Sequence, residues 1–446
     1  MRSRGRSGVA PGLAGGLVGT WGADRWAQVR RYRHWIYVGV RAIAQEICRH
    51  QPNIAVIGKV DEGERAARTR RWEPWRTRSK AEKSQGALRP HEEVRPVSEE
   101  HPFARLMSDP NGPETRSEFW FAWTVFYKVC GIAYIWARPS GIVLDGVPLI
   151  QDLWVLPTQW VVPVSGNGRP IDHYQIRPYG MSGGGGSLEI PAEDMIVFKD
   201  PSPLFPLDGM SGLQAGSEWV DIAESQHSAE WNSFKNGAFP GTHIKLPPGV
   251  DPDDAEMDRL YAKFLSRFAG EANTSAPILT QAGYEIDALT HSPTEMGYIE
   301  GGNQSRDRIL ALLGVPKGVV GLEPGGDNIS AYAPLRQFCR FTIAPILGRL
   351  GETLTERGAR RYDRRLRLWY DDPTPDDPEQ IRRDIDTRIK GSAISPNEIR
   401  ALYGAEPWDP AVFPGGDRPV VQAAPAPGAN QGPGDDHAQL PVAGRR

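Results

Sequence analysis

Residues 119–137, from Phe119 to Ala137, read FWFAWTVFYKVCGIAYIWA, and this stretch decides the class of the chain. It is about as long as a membrane span and holds one charge, Lys128. Gly131 divides it. Ahead of Gly131 the residues suit a buried amphipathic helix opened by Thr115 and Ser117. Behind it, Ile132 to Trp136 are mostly β-branched or aromatic and suit a strand. A buried helix running into a strand predicts an α+β protein. No membrane anchor is expected, because nothing else in the chain is hydrophobic enough to accompany one.

Upstream, Ile36, Val40, Ile43, Ala44 and Ile47 recur at helical spacing, and Pro52 ends that helix. Residues 1–34 are expected to be a disordered arm. Residues 59–100, which include GERAARTRRWEPWRTRSKAEKSQ, read as a charged mobile insert poor in aliphatic side chains. The first hundred residues carry 20 basic and 11 acidic side chains. Such an arm can touch phosphate, but a solvated linker is the plainer reading.

Downstream, LWVLPTQWVVPVS, HYQIRP and LEIPAEDMIVFKD read as strands between turns. Gly180 to Gly184 fit G-x-S-x-G, but a nucleophile elbow needs a helix after it and another strand follows, so this is a hairpin tip. Residues 212–236 form a long helical pattern. Leu213, Val220, Ala223, His227, Trp231 and Phe234 recur at threes and fours, with Glu218, Asp221, Glu224 and Glu230 opposite. His227 on that stripe reads as a packed core or interface histidine. Next come a strand (THIKLP), a helix with an acidic first turn over 251–270, and a strand-turn-strand over 276–290. Thr294–Leu313 is helical, GLEPGGDNIS is a glycine-rich loop, and Ala333–Arg357 is a helix interrupted at Pro345. RRLRLWYDD alternates like a strand. Gln380–Lys390 is helical, and Ser395-Pro-Asn-Glu398 opens a last helix with capping-box spacing. From residue 419 the composition is that of a disordered tail.

Charge nearly cancels, with 52 Lys+Arg against 55 Asp+Glu, which excludes a wholly basic nucleic-acid coat and a wholly acidic tail protein. Cys48, Cys130 and Cys339 lie far apart, which argues against a disulfide framework or a cysteine zinc site and for a reducing compartment. The basic start runs into Gly, Ala and Pro without a convincing cleavage site, which argues against export. No G-x-x-x-x-G-K-[ST] loop and no H-E-x-x-H occurs. Asp371-Asp372 and Asp376-Asp377 stand among prolines and read as solvated loop. No catalytic residue, cofactor or metal is expected, and the chain reads as a non-enzyme.

Several pieces, taken in order, resemble the HK97-like portal proteins of tailed bacteriophages. HPFARLMSDPNGPETRSEFW is similar to that family's "hydrophobic-Leu-x-x-Pro-Asn" stretch. VCGIAYIWARPSG is similar to its "Gly-Asn-Ala-Tyr" strand, with Ile132 in place of the Asn. MIVFKDPSPLFPLDGMSGLQAG, FKNGAFPGTHIKLP and LLGVPKGVVG follow, and DNIS stands where the family has "Ser-Asn-Ile-Glu". GSAISPNEIRALYGAEPWDP matches the C-terminal signature. The resemblance runs from Trp35 to Asp417 and leaves out the first 30 residues, the 59–100 insert and the tail.

The resemblance implies a portal fold assembling as a ring, usually of twelve copies, at one capsid vertex. Double-stranded DNA is packaged and ejected through the ring, which docks terminase, the major capsid protein and head-tail connector proteins. It implies a wing over 35–211, a first stem helix over 212–238, a clip over 239–291 and a second stem helix over 292–320. A tunnel loop over 321–331 and a tunnel-side helix with a crown over 332–418 complete it. Implied channel residues are Glu323, Gly325, Gly326, Asp327 and Asn328. Implied subunit-interface residues are Leu213, Val220, His227, Trp231 and Phe234. The protein is expected in the virion, after assembly in the host bacterial cytoplasm. The alternatives are a capsid-associated hydrolase or nuclease, which needs a clustered acidic or Ser/His site, or a head-tail adaptor, which is usually much shorter.

Overall fold

Thr115 and Glu118 start the central helix with a reciprocal cap. The Thr115 backbone N–H donates to Glu118 Oε2 at 2.8 Å, and the Glu118 N–H donates to Thr115 Oγ1 at 3.2 Å. Gly131 ends the helix in the left-handed region at φ 71°, its N–H bonded to the Tyr127 carbonyl at 2.9 Å. The chain turns there directly into a strand. The predicted helix-to-strand unit is therefore present, and its side chains form the centre of the core. Phe119, Trp120, Trp123 and Tyr127 are buried. The Trp123 ring stacks on Tyr127 with centroids 5.0 Å apart and meets Phe198 edge-on at 5.1 Å.

The computed structural model describes residues 24–59, 92–166, 168–178, 188–203, 206–235, 242–245, 253–268, 285–288, 298–322, 328–375, 378–391, 394–402 and a few positions beyond. The chain divides into two compact units, Met1–Thr374 and Pro375–Arg446. In chain order the first unit contains α1 (Arg25–Arg30), α2 (His34–Arg49), β1 (Pro52–Lys59), β2 (Glu92–Pro96), α3 (Pro102–Ser108) and α4 (Arg116–Cys130). β3 (Ile132–Leu144), β4 (Val147–Leu156), β5 (Val161–Gly166), β6 (Arg169–Ile176), β7 (Leu188–Pro191) and β8 (Met195–Lys199) follow. Then come α5 (Gly212–Ala215), α6 (Ser217–Lys235), β9 (Thr242–Lys245), α7 (Asp254–Phe268), β10 (Glu285–Ala288) and α8 (Tyr298–Leu313). α9 (Asn328–Phe338) passes through a π-helical turn, Cys339–Ile343, into α10 (Ala344–Arg357), and β11 (Leu366–Tyr370) closes the unit. The second unit holds α11 (Pro378–Lys390) and α12 (Pro396–Leu402).

Among the described residues the strands form four antiparallel sheets, ordered β11-β1-β2, β4-β3-β8, β5-β6-β7 and β10-β9. Sheets set beside helices rather than alternating with them agree with the α+β expectation. β1 places Ile54 opposite Leu368, so β11 returns to the start of the chain. Leu366 and Leu368 are buried while Arg367 between them is exposed, the alternation expected of a half-covered strand. Asp200, just after β8, accepts from the Tyr127 hydroxyl at 2.7 Å and pairs with Arg349 of α10. Arg349 Nη1 also donates to Tyr127 Oη at 2.6 Å. Burial and then the Asp200 charge push the Tyr127 hydroxyl well above its ordinary range, so it stays a neutral donor.

Two expectations are corrected. Residues 24–34, read as the end of a disordered arm, are folded. Asp24 caps α1, Gln28 is buried, and Arg25 donates to the Cys130 carbonyl at 2.6 Å and pairs with Asp208. These partners lie far along the chain, so no local pattern announced them. Within the 59–100 insert, Glu92–Pro96 is a strand against β1. The interruption expected at Pro345 is present, as the π turn Cys339–Ile343 between α9 and α10. That turn absorbs the missing donor, and α10 takes Pro345 in its first turn. In the second unit the predicted capping box is present: Ser395 N donates to Glu398 Oε2 at 2.8 Å and Glu398 N to Ser395 Oγ at 3.3 Å. The expectations for residues 1–23, 60–91, 180–187 and 418–446 lie outside the described residues.

One stability dependence follows. His101 caps α3 by accepting from the Phe103 N–H at Nδ1, 3.2 Å away, which the protonated ring cannot do. Burial lowers its pKa below 6.5, against the opposing pull of Asp363. The unfolded chain therefore binds this proton more readily than the folded one, and stability rises with pH. The contribution is present above the unfolded pKa and lost as pH falls through the folded one. Thermal midpoints measured from pH about 7 down to about 5 should fall, and His101→Asn, which keeps a capping acceptor, should flatten part of that slope.

Candidate subunit interface and channel elements

The predicted stem region is built on close approach of small residues. A Cβ on Gly212 would lie 2.5 Å from the Leu312 carbonyl oxygen, and one on Gly39 of α2 would lie 2.5 Å from Leu313 Cδ1. The two glycines let α5 and α2 close onto the C-terminal turn of α8. Leu213, Val220, Ile309, Leu310 and Leu313 are buried there. Further along, α6 and α8 are joined by Ser305 Oγ, which donates to Gln226 Oε1 at 2.5 Å. Arg31 bridges Asp221 at 2.7 Å and Glu224 at 3.0 Å, and Arg33 reaches Glu224 at 2.9 Å.

Between these helices lies a cavity of about 380 Å³, lined by His34, Gln226, His227, Glu230, Ser305 and Arg306 among others. The His34 and His227 rings stand 4.4 Å apart. Burial, then the neighbouring His227, lowers the His34 pKa. Among the described residues no group of three or more His, Cys, Asp or Glu could hold a metal ion. No helix among them is long and apolar enough to cross a membrane.

The predicted interface residues separate into two sets. Leu213 and Val220 are 2% and 1% exposed, covered by their own chain, so they cannot await a neighbour. α8, with α4 against α5, covers the base of the stripe. Trp231, on nearly the same face of α6, lies beyond them and is 59% exposed. His227 is exposed beside His34 rather than packed in a core. Phe234 lies in α6, and its side chain is outside the described set.

Of the predicted channel residues, Glu323, Gly325, Gly326 and Asp327 also lie outside that set. Asn328 is not in the loop, as expected, but begins α9. The helix expected from Ala333 begins five residues earlier, at Asn328, and runs through Pro334, forgoing one N–H donor.

Sequence reasoning missed other exposed apolar side chains. Trp219 and Ile222 stand on a second face of α6, each 43% exposed, with the Arg308 guanidinium over the Trp219 ring. Ile142, Val143 and Leu144 crown the β3–β4 hairpin. Its turn has Asp145 and Gly146 at φ 50° and 80°, and the Asp-Gly pair between apolar runs was the available signal.

A family model described as phage portal protein matches residues 84–404 of this chain. An uncharacterized protein of Rickettsia bellii is 24% identical over 204 residues, 44% of this chain and 51% of that protein, so the chain spans about half the length of that relative. One chain of the neck of an empty gene transfer agent particle is 19% identical, with a TM-score of 0.54, covering 86% of this chain and 94% of that one. A portal protein of the HK97 family from Corynebacterium diphtheriae is 11% identical with a TM-score of 0.49, covering 81% and 96%. The neck chain shares the fold over nearly its whole length, and the family match spans the helix-to-strand unit, α5, α6, α8 and the last capped helix. This chain belongs to the phage portal protein family.

Proposed function

We propose that the chain is the portal subunit of a phage or gene transfer agent particle. Copies, twelve in number, form a ring at one capsid vertex, and double-stranded DNA is packaged and ejected through its axis. The observation that carries this reading is the match of the family model to residues 84–404. In this reading α5 with α6 is the first stem helix within 212–238, and α8 is the second within 292–320. The clip is 239–291, the wing 35–211, and the tunnel-side helix and crown 332–418. The tunnel loop is shorter than 321–331, since α9 takes its last residues. Terminase and head-tail connector proteins dock on the ring and the major capsid protein surrounds it. The subunit itself performs no catalysis, and its place is the virion after assembly in the host bacterial cytoplasm.

The near-neutral total charge supports a conduit, since a uniformly basic lining holds DNA by counterion release and resists sliding. Negative-stain electron microscopy of the full chain, produced with its capsid protein, tests the proposal. Rings with an axial opening are expected. Dispersed monomers only, in preparations where capsid shells form, would overturn it.

A further inference from the structure

The turn from α10 into β11 concentrates positive charge as no other described segment does. From Arg357 to Arg367 the chain carries six arginines and one acid, Asp363, in a protein whose total charge is −3. Three of the six are occupied. Arg361 pairs with Asp194 and donates to the Glu193 carbonyl, Arg360 pairs with Glu356, and Arg365 pairs with Asp363 at 3.4 Å. Arg357, Arg364 and Arg367 are exposed and have no carboxylate partner among the described residues. An ordinary solvated face intersperses both signs; here Arg364 and Arg367 stand three residues apart without an acid between them, and Arg357 lines a pocket that also holds Asp172, Glu189 and Glu193.

The backbone that carries them is held. Leu366 N donates to the Asp363 carbonyl at 2.9 Å, Arg365 N to Asp363 Oδ1 at 2.8 Å and Ile57 N to the Arg365 carbonyl at 3.0 Å. The Tyr362 hydroxyl donates to the Ile150 carbonyl at 2.9 Å. Every cation in the span is arginine, with no lysine. A planar guanidinium presents a donor fork that matches two phosphate oxygens, and a fixed backbone reduces the entropy lost on contact.

We propose that this turn is a second DNA contact, additional to the tunnel loop, in which Arg357, Arg364 and Arg367 grip the phosphate backbone of double-stranded DNA without reading its sequence. The choice of DNA as the polyanion rests on the portal reading; the phosphate-binding chemistry rests on the three arginines.

Fluorescence anisotropy of the full chain with a labelled mixed-sequence duplex, between about 50 and 200 mM salt, tests it. Each phosphate contact contributes about −0.9 to the slope of log K against log salt, so Arg357→Gln/Arg364→Gln/Arg367→Gln should reduce the slope by about 3 and weaken binding at least about tenfold. The lysine triple variant, which keeps the charge, should retain the slope and shows that the glutamine effect is not misfolding. A charge-matched control, Arg382→Gln/Arg383→Gln/Arg388→Gln in α11, should leave the slope unchanged. An unchanged slope in the first variant overturns the proposal. So does polyglutamate that displaces the protein from DNA as well as unlabelled duplex does, since the surface would then favour an acidic protein. The slope is read whatever the assembly state. Rings with an unchanged slope sink the patch alone, whereas a lost slope in a chain that forms no rings sinks the ring reading alone.

Discussion

Replacing Gly131 by alanine should cost about 4 kcal/mol or more, enough to leave much of the chain unfolded or insoluble. Two effects add. Gly131 sits at φ 71°, where an L-residue pays about 1–2 kcal/mol. Its new Cβ would also stand well under 3.0 Å from Ser211 N and Met210 C, and 2.8 Å from Met210 N. Those neighbours are backbone, and they are tied in place. Asp200 N donates to the Gly131 carbonyl at 2.8 Å, and Met210 N donates to the Asp200 carbonyl at 3.1 Å. Gly209 is itself packed onto the Gly131 carbonyl. Relief requires moving the segment that feeds α5 and the stem. Gly112→Ala separates the two effects. Gly112 has φ 73° but nothing within 4 Å of its would-be Cβ, so it should lose only the conformational term, about 1–2 kcal/mol. Thermal unfolding of both variants decides: equal losses would show that the 209–211 segment gives way and that the contact is not a constraint.

The legibility of this fold follows the range of the interactions. The α4–Gly131–β3 unit was readable because its cap, its apolar face and its left-handed glycine all fall between Thr115 and Gly131. The Ser395–Glu398 box was readable for the same reason. β2 was not, because its partner β1 lies across the whole 60–91 segment and its own residues, EEVRP, carry no apolar alternation. α1 was missed because Arg25 is held by Cys130 and Asp208. The site was legible as a stripe but not as an interface. Periodicity states which side of α6 is apolar; it cannot say whether α8 or a neighbouring subunit covers it. The arginine-rich turn was visible in the sequence as RRYDRRLR, yet only the ion pairs separate the occupied cations from Arg357, Arg364 and Arg367.

That division of the stripe carries the second large effect. Trp231→Glu should leave the subunit folded and abolish ring assembly. The side chain is 59% exposed, so its loss should change the stability of a single chain by no more than about 0.5 kcal/mol. In the ring, as proposed, the indole is covered by a neighbour, where a buried tryptophan anchor is worth about 2 kcal/mol or more and a carboxylate adds a desolvation cost. The loss recurs at every interface of a closed ring, so a penalty of about 2 kcal/mol, near thirtyfold per contact, multiplies into loss of the closed species. Val220→Ala is the informative contrast. Val220 is 1% exposed within its own chain, so its truncation should lower the thermal midpoint and leave the assembly of the folded fraction intact. Mass photometry of the two variants beside the unaltered protein, with thermal midpoints measured in parallel, reads both predictions. Rings formed by Trp231→Glu at the unaltered level would remove Trp231 from the interface and turn attention to the other apolar face of α6, where Trp219 and Ile222 stand exposed.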